Sequence, residues 1–136
     1  MDSELIEIRT GTDETVADLT AEIDAFLRGT DATDGLLHVF VPHATAGLAV
    51  IETGAGSDTD LLSALRDLLP ADDRWAHRHG SAGHGRDHVL PAFVAPSLSV
   101  PVLDGRPALG TWQSVCLVDT NRDNPVRSVR LSFLRG

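Results

Sequence analysis

The sequence predicts an α+β fold, a single compact domain over residues 1–136 built as an antiparallel β-sheet sandwich or meander with two main helices. Three observations carry this. A length of 136 residues with 42% apolar composition supplies one core and no second one. Two segments repeat their apolar residues at helical spacing, and the remaining apolar runs are short, alternate in places and are bounded by turn residues.

The elements follow in order. Residues 4–9, ELIEIR, alternate loosely and predict a strand. In residues 11–29, Val16, Leu19, Ile23, Phe26 and Leu27 fall at offsets of 0, 3, 7, 10 and 11, which is one helical face. Thr12 or Asp13 is the expected cap, and Gly29 the residue beyond the end. LLHVFVP and GLAVIE read as two strands on either side of PHATA. Ser57 precedes a second helix with acids in its first turn, leucines at Leu61, Leu62, Leu65, Leu68 and Leu69, and a stop at Pro70. Residues 71–88 form a long polar loop holding four of the six histidines, a length uncommon in a compact domain unless the loop is functional or disordered. AFVAPSLSVPVL, ALGTWQSVCLVD and VRSVRLSFL then read as a strand meander, with Asp104-Gly105 as a tight hairpin turn. In the last strand Val129, Leu131 and Phe133 alternate with Ser128, Arg130 and Ser132, so one face is buried and the other wet.

Charge narrows the function. The formal net charge is −9, with eleven arginines and no lysine, which argues against the basic footprint of a nucleic-acid binder. No apolar run approaches the roughly 18 to 20 residues that span a bilayer, so no membrane partner is expected. The N-terminus, Met1-Asp2-Ser3-Glu4, lacks the basic start and apolar stretch of a signal peptide, and Cys116 is the single cysteine. A reducing, cytoplasmic location is the expectation. Walker-type, Gly-x-Gly-x-x-Gly and Gly-x-Ser-x-Gly motifs are absent, which removes the common nucleotide-binding and serine-hydrolase readings.

Histidine concentrates the remaining chemistry, because neutral imidazole is the commonest metal ligand. There is no His-Glu-x-x-His motif, and His43, His77 and His88 lie 34 and 11 residues apart, so only the fold could assemble them around a divalent metal, with zinc the usual choice. The alternative is that His77, His79 and His84 are solvated loop residues and that His43 caps a turn. Glu52, ending GLAVIE, is a possible general base or an orienter of a ligand histidine, or simply a strand end in water. Ser97, Thr111 and Gln113 place polar groups on neighbouring strands, where cross-strand pairs are the ordinary role, and Trp112 alone would be core.

The ordered set HATAGLAVIE, LLP, WAHRHG, DHVLPAFVAPSLSVPVLDGRPALGTWQSVCLVD and the terminal VRLSFL resembles the YjbQ family, often labelled a secondary thiamine-phosphate synthase. The resemblance implies a YjbQ-like domain, a homotrimer and histidines that hold a metal ion. It assigns His43, His77 and His88 to the metal and Glu52 to a proton or to ligand orientation. Gly110-Thr111-Trp112-Gln113 match without change, and Thr45, Ser97, Arg106, Thr111, Trp112 and Gln113 are the implied substrate contacts. The implied reaction joins a pyrimidine methyl diphosphate to a thiazole phosphate and releases pyrophosphate, a leaving group that a divalent ion stabilises, zinc or, with a diphosphate, magnesium. The sequence departs from the family at Ala44, at Ile51 and at GAGSD, which weakens the transfer of substrate contacts there. Two rivals stand beside this reading: a metal-dependent hydrolase of a small phosphate or acyl substrate, and a non-enzymatic trimer that binds a metal or metabolite.

Overall fold

Two antiparallel sheets carry the fold in the computed structural model, which describes every residue from Met1 to Gly136. The chain runs through β1 (Asp2–Arg9), β2 (Thr15–Asp18), α1 (Thr20–Gly29), β3 (Gly35–Phe40), β4 (Ala46–Ile51) and α2 (Ser57–Leu68). Two short 3-10 helices, His84–His88 and Leu90–Ala92, lead into β5 (Ser97–Leu103), β6 (Arg106–Pro107), β7 (Ser114–Asp119) and β8 (Val126–Arg135). The larger sheet has the order β1-β8-β3-β5-β6 and the smaller β2-β7-β4. The expected meander is therefore divided, with β5 in one sheet and β7 in the other.

Alternation places the core. Leu37 and Val39 of β3, Val100 and Val102 of β5, and Val129, Leu131 and Phe133 of β8 face inward, where they meet Ile23, Phe26 and Leu27 of α1 and Val115 and Leu117 of β7. Full burial of each such side chain contributes about 1.5–3 kcal/mol. The other face of the small sheet packs Val118 against Leu65 and Leu69 of α2 and Leu90, so this sheet is covered on both sides. Close packing fixes the entry to β5: a Cβ on Gly47 would lie 1.9 Å from the Val94 carbonyl oxygen, so only glycine lets the two segments meet there.

The Asp104-Gly105 turn forms as expected, with φ of 50° and 75°, the pair of positive angles of a two-residue hairpin. The first helix differs from expectation. Thr15–Asp18 is drawn into the small sheet, where Val16 pairs with Val118, and the helix starts at Thr20 with the Asp18 carboxylate accepting from the Thr20 backbone N–H at 2.9 Å. Gly29 is its last residue, and the left-handed position falls on Asp31, at φ 51°. In α2 the cap is Gly56, at φ 104°, and Ser57 is already helical.

One polar group lies at the centre. Arg127 is fully buried, donating to Asp119 through Nε at 2.7 Å and Nη2 at 3.0 Å, and to Thr45 Oγ1 at 2.8 Å. Breaking a buried pair by removing one partner costs about 3–5 kcal/mol because the other charge is stranded. Arg127→Ala is expected to lower the unfolding free energy by that order in urea denaturation, while Arg74→Ala, which breaks the exposed Arg74–Asp72 pair, leaves the midpoint in place. Equal midpoints for Arg127→Ala and wild type would disprove a structural role for the pair.

Candidate metal centre

The long polar loop is ordered by its own glycines and by contacts to the end of β7. Gly80 and Gly83 take φ of 91° and 77°, turning the chain so that His84 begins a 3-10 helix that ends at His88. Trp75 anchors the loop's start, its Nε1 donating to the Pro70 carbonyl at 2.8 Å. Arg86, buried within the 3-10 helix, ties it to the N-terminal region through Glu14, which Arg66 of α2 also contacts at 2.6 Å.

These constraints bring three imidazoles together. One ring nitrogen from each of His77, His84 and His88 lies within 4.8 Å of the other two. The Nε2 atoms of His84 and His88 face each other at 2.9 Å, and His77 Nε2 is buried without a hydrogen-bond partner. His79 lies against His77 with ring centroids 4.0 Å apart. Burial first, and then the neighbouring imidazoles, push His77 and His88 below the usual histidine range and so favour the neutral, ligating form.

Carboxylates orient the middle ring. His84 Nδ1 lies 3.3 Å from Asp87 Oδ2 and 3.2 Å from Asp123 Oδ2, at ion-pair distance from both although it makes no well-aligned hydrogen bond with either, and two carboxylates on that side favour a proton on Nδ1. Asp87 is itself buried and accepts from the Thr120 hydroxyl at 2.6 Å; burial raises its carboxyl, the dominant effect there. Asp123 accepts from the Ser81 backbone N–H at 3.1 Å and hydroxyl at 3.2 Å.

The donor set fits a divalent ion of the zinc type. Three imidazole nitrogens around tetrahedral zinc stand about 3.3 Å apart, given Zn–N distances of about 2.0–2.1 Å, and the cluster reaches that with small ring movements. The unpartnered, buried His77 Nε2 and the facing Nε2 atoms of His84 and His88 suit such an ion. Two cavities flank it. One of about 390 Å³ is lined by Ser81, His84, Asp87, Thr120 and Arg122, and one of about 370 Å³ by Trp75, His77, Arg78, Gly80 and His84.

The sequence-predicted residues are only partly assembled within one chain. His77 and His88 stand in the cluster, but His43 does not: its Nε2 accepts from the Ser128 backbone N–H at 2.9 Å, and burial with the Arg127 charge depresses its pKa. His84 takes the place expected of His43. Thr45 is buried and its hydroxyl oxygen accepts from Arg127 and Asn121, which ties it to the buried ion pair. Glu52 follows β4, whose Ile51 pairs with Ser114 at the start of β7, whereas Thr120 beside the cluster follows the end of that strand. At about 3.3 Å per residue this separates Glu52 and Thr111-Trp112-Gln113 from the histidines by about 20 Å. Ser97 opens β5 opposite Phe40, and Arg106 lines a separate cavity beside Arg28 and Asp104. The signal for His84 was its four-residue spacing from His88, hidden by the flanking glycines.

Glu14 offers a test of how the loop is held. Burial opposes its ionisation, but the hydrogen bonds and charges of Arg86 and Arg66 outweigh this and hold the carboxyl below the ordinary value of 4.5. Its stabilisation is therefore complete above that value and is lost as pH falls through the depressed one. In urea denaturation the stability gap between wild type and Glu14→Gln is expected to be widest near neutrality and to close as the pH drops below about 4. A gap that does not change with pH would refute this linkage.

The family model described as UPF0047 protein YjbQ-like matches residues 4–136. UPF0047 protein Rv2556c of Mycobacterium tuberculosis is 60% identical over 136 residues, covering 100% of both chains. UPF0047 protein YugU of Bacillus subtilis is 34% identical over 115 residues, 81% of this chain and 83% of its own. Among solved structures, the hypothetical protein APE1520 from Aeropyrum pernix K1 superposes with a TM-score of 0.89 at 30% identity, covering 100% of both chains.

Proposed function

This chain belongs to the UPF0047 YjbQ-like family, and on that premise we propose that it is a divalent-metal-binding enzyme whose metal is held by His77, His84 and His88. The convergence of three imidazole nitrogens, the middle one backed by two carboxylates, is the observation that supports this most directly. Bound there, the ion would supply a positive charge to a phosphate leaving group. The chain's own residues do the rest. Asp87 and Asp123 fix the His84 tautomer, and Arg122 and Arg78, which have no ion-pair partners, line the two flanking cavities and can hold anionic groups of a small substrate.

The reaction we infer is of the thiamine-phosphate synthase type, in which the thiazole nitrogen bonds to the pyrimidine methylene carbon as pyrophosphate leaves. Asp87 and Asp123 lie against His84, and the Arg78 and Arg122 guanidinium groups in the flanking cavities suit the charge of a diphosphate leaving group. The acidic net charge supports a small-molecule substrate over a nucleic acid. No helix is long and apolar enough to cross a membrane. Cys116 is buried and its thiol is pushed up to about 12, mainly by burial, consistent with an inert thiol in the cytoplasm.

Self-association as a homotrimer belongs to this reading. The outer face of the large sheet is uncovered: Leu5, Leu36, Phe40, Leu103 and Leu134 are exposed on it. A polar row crosses the same face, with Ser3 and Ser132 hydroxyls 3.1 Å apart and His38 Nδ1 2.9 Å from the Ser99 hydroxyl. A contiguous apolar face with such a row suits a specific protein partner.

Cobalt loading followed by elemental analysis and visible spectroscopy tests the metal. His84→Ala and His88→Ala are expected to lose the bound ion and its absorption bands, and His43→Ala to keep both. Retention of one ion per chain in His84→Ala would disprove the site. Metal-loaded wild type is expected to form thiamine phosphate from the pyrimidine diphosphate and thiazole phosphate, with His84→Ala inactive. Absence of product from a metal-replete oligomer would overturn the reaction and leave the metal site standing.

A further inference from the structure

Two turns at one end of the large sheet are locked against each other and enclose a cavity. One joins α1 to β3 and holds Asp31 at φ 51°; the other joins β5 to β6 and holds Asp104 at 50° and Gly105 at 75°. The Gly105 N–H donates to the Thr33 carbonyl at 3.1 Å, and the Asp104 N–H to the Asp34 carboxylate at 2.9 Å. A Cβ on Gly105 would stand 2.6 Å from the Ala32 carbonyl oxygen, so the hairpin comes this close only with glycine. Arg135 of β8 also fixes the first turn, donating to the Thr30 carbonyl at 2.6 Å and to the Asp31 carbonyl at 3.3 Å. Both walls are therefore set by main-chain contacts.

The cavity between them has a volume of about 730 Å³. That lies within the range of roughly 300–1,000 Å³ typical of small-molecule sites. Leu27 and Ala32 supply its apolar surface, and every other side chain on it is charged: Asp24, Asp31, Asp104, Arg28 and Arg106. None of these five is paired. Asp24 and Arg28 stand at the i, i+4 spacing, acid first, that ordinarily gives a helix ion pair, yet neither Arg28 nor Arg106 forms a salt bridge with any carboxylate. The charges just outside already have partners: Asp34 accepts from Asp104, and Arg135 contacts Asp2 at 3.1 Å.

Unpaired charges of both signs around one space suit a ligand that carries both. Three carboxylates against two guanidinium groups leave one net negative charge, which two cationic groups and one anionic group on the ligand would balance. The C-terminal end of α1, with its partial negative charge, favours a cation in the same place. We propose that this cavity binds a basic α-amino acid. Its carboxylate is held by the planar forks of Arg28 and Arg106, its two cationic groups by Asp24, Asp31 and Asp104, and its methylene chain lies on Leu27 and Ala32. The site is for binding and not for reaction, since no nucleophile lines it, and it shares no residue with the cavities beside the histidines.

Titration of the isotope-labelled full chain with L-lysine, followed by NMR at the backbone amides and arginine Nε groups, tests this without metal. Saturable shifts confined to residues 24–34 and 103–107 are expected. Cadaverine, which keeps both ammonium groups and lacks the carboxylate, is expected to bind severalfold more weakly. Arg28→Gln combined with Arg106→Gln is expected to erase the advantage of lysine over cadaverine, and Asp24→Asn combined with Asp104→Asn to weaken both, with circular dichroism unchanged. Absence of a saturable shift in these segments would overturn the site. Equal binding of lysine and cadaverine by the wild type would reduce it to an acidic surface and overturn the assignment of the two arginines.

Discussion

A buried charge that must be paired organises this molecule. Arg127 sits on β8 of the large sheet and Asp119 at the end of β7 in the small one, and neither reaches water. A guanidinium in that position is tolerable only if Asp119 and Thr45 are held at the right places, so the pair fixes how the two sheets meet at this end. The hydrophobic core has many ways to be nearly filled, but the bidentate geometry has one.

That constraint extends to the candidate metal centre through a continuous set of hydrogen bonds. Asp119 accepts from the Asn121 backbone N–H at 2.9 Å, Asn121 accepts from the Asp123 backbone N–H at 2.8 Å, and Asp123 lies 3.2 Å from His84. Thr120, in the same segment, holds Asp87, the other carboxylate beside His84. The four residues after β7 thus transmit the register of the sheet to the orientation of one imidazole. A loop rich in glycine could not set that ring alone, because its backbone has too many accessible states.

What was legible in the sequence was whatever depends on neighbours a few residues away. Asp104-Gly105 announced its turn, and the alternation of Val129, Leu131 and Phe133 announced a half-buried strand, because both signals are local. Resemblance supplied the family and two of the three clustered histidines. Thr15–Asp18 was misread because Val16 fits a helical stripe equally well, and only its partner Val118, a hundred residues on, makes it a strand. His43 stands apart from the cluster for the same kind of reason: its Nε2 accepts from the N–H of Ser128, far along the chain. Arg127 falls in phase with Val129, Leu131 and Phe133, so the alternation already put it on the buried face; what no local pattern shows is its partner, Asp119, in the other sheet.

The separation of the two notable groups along β7 has a physical consequence for function. A rigid strand of six residues cannot bend to bring its ends together, so within one chain Glu52 and Thr111 at its start do not reach a group held by the histidines beyond its end. His88 is exposed, so the imidazole cluster is open to water on that side, where the low dielectric that strengthens charge stabilisation is absent.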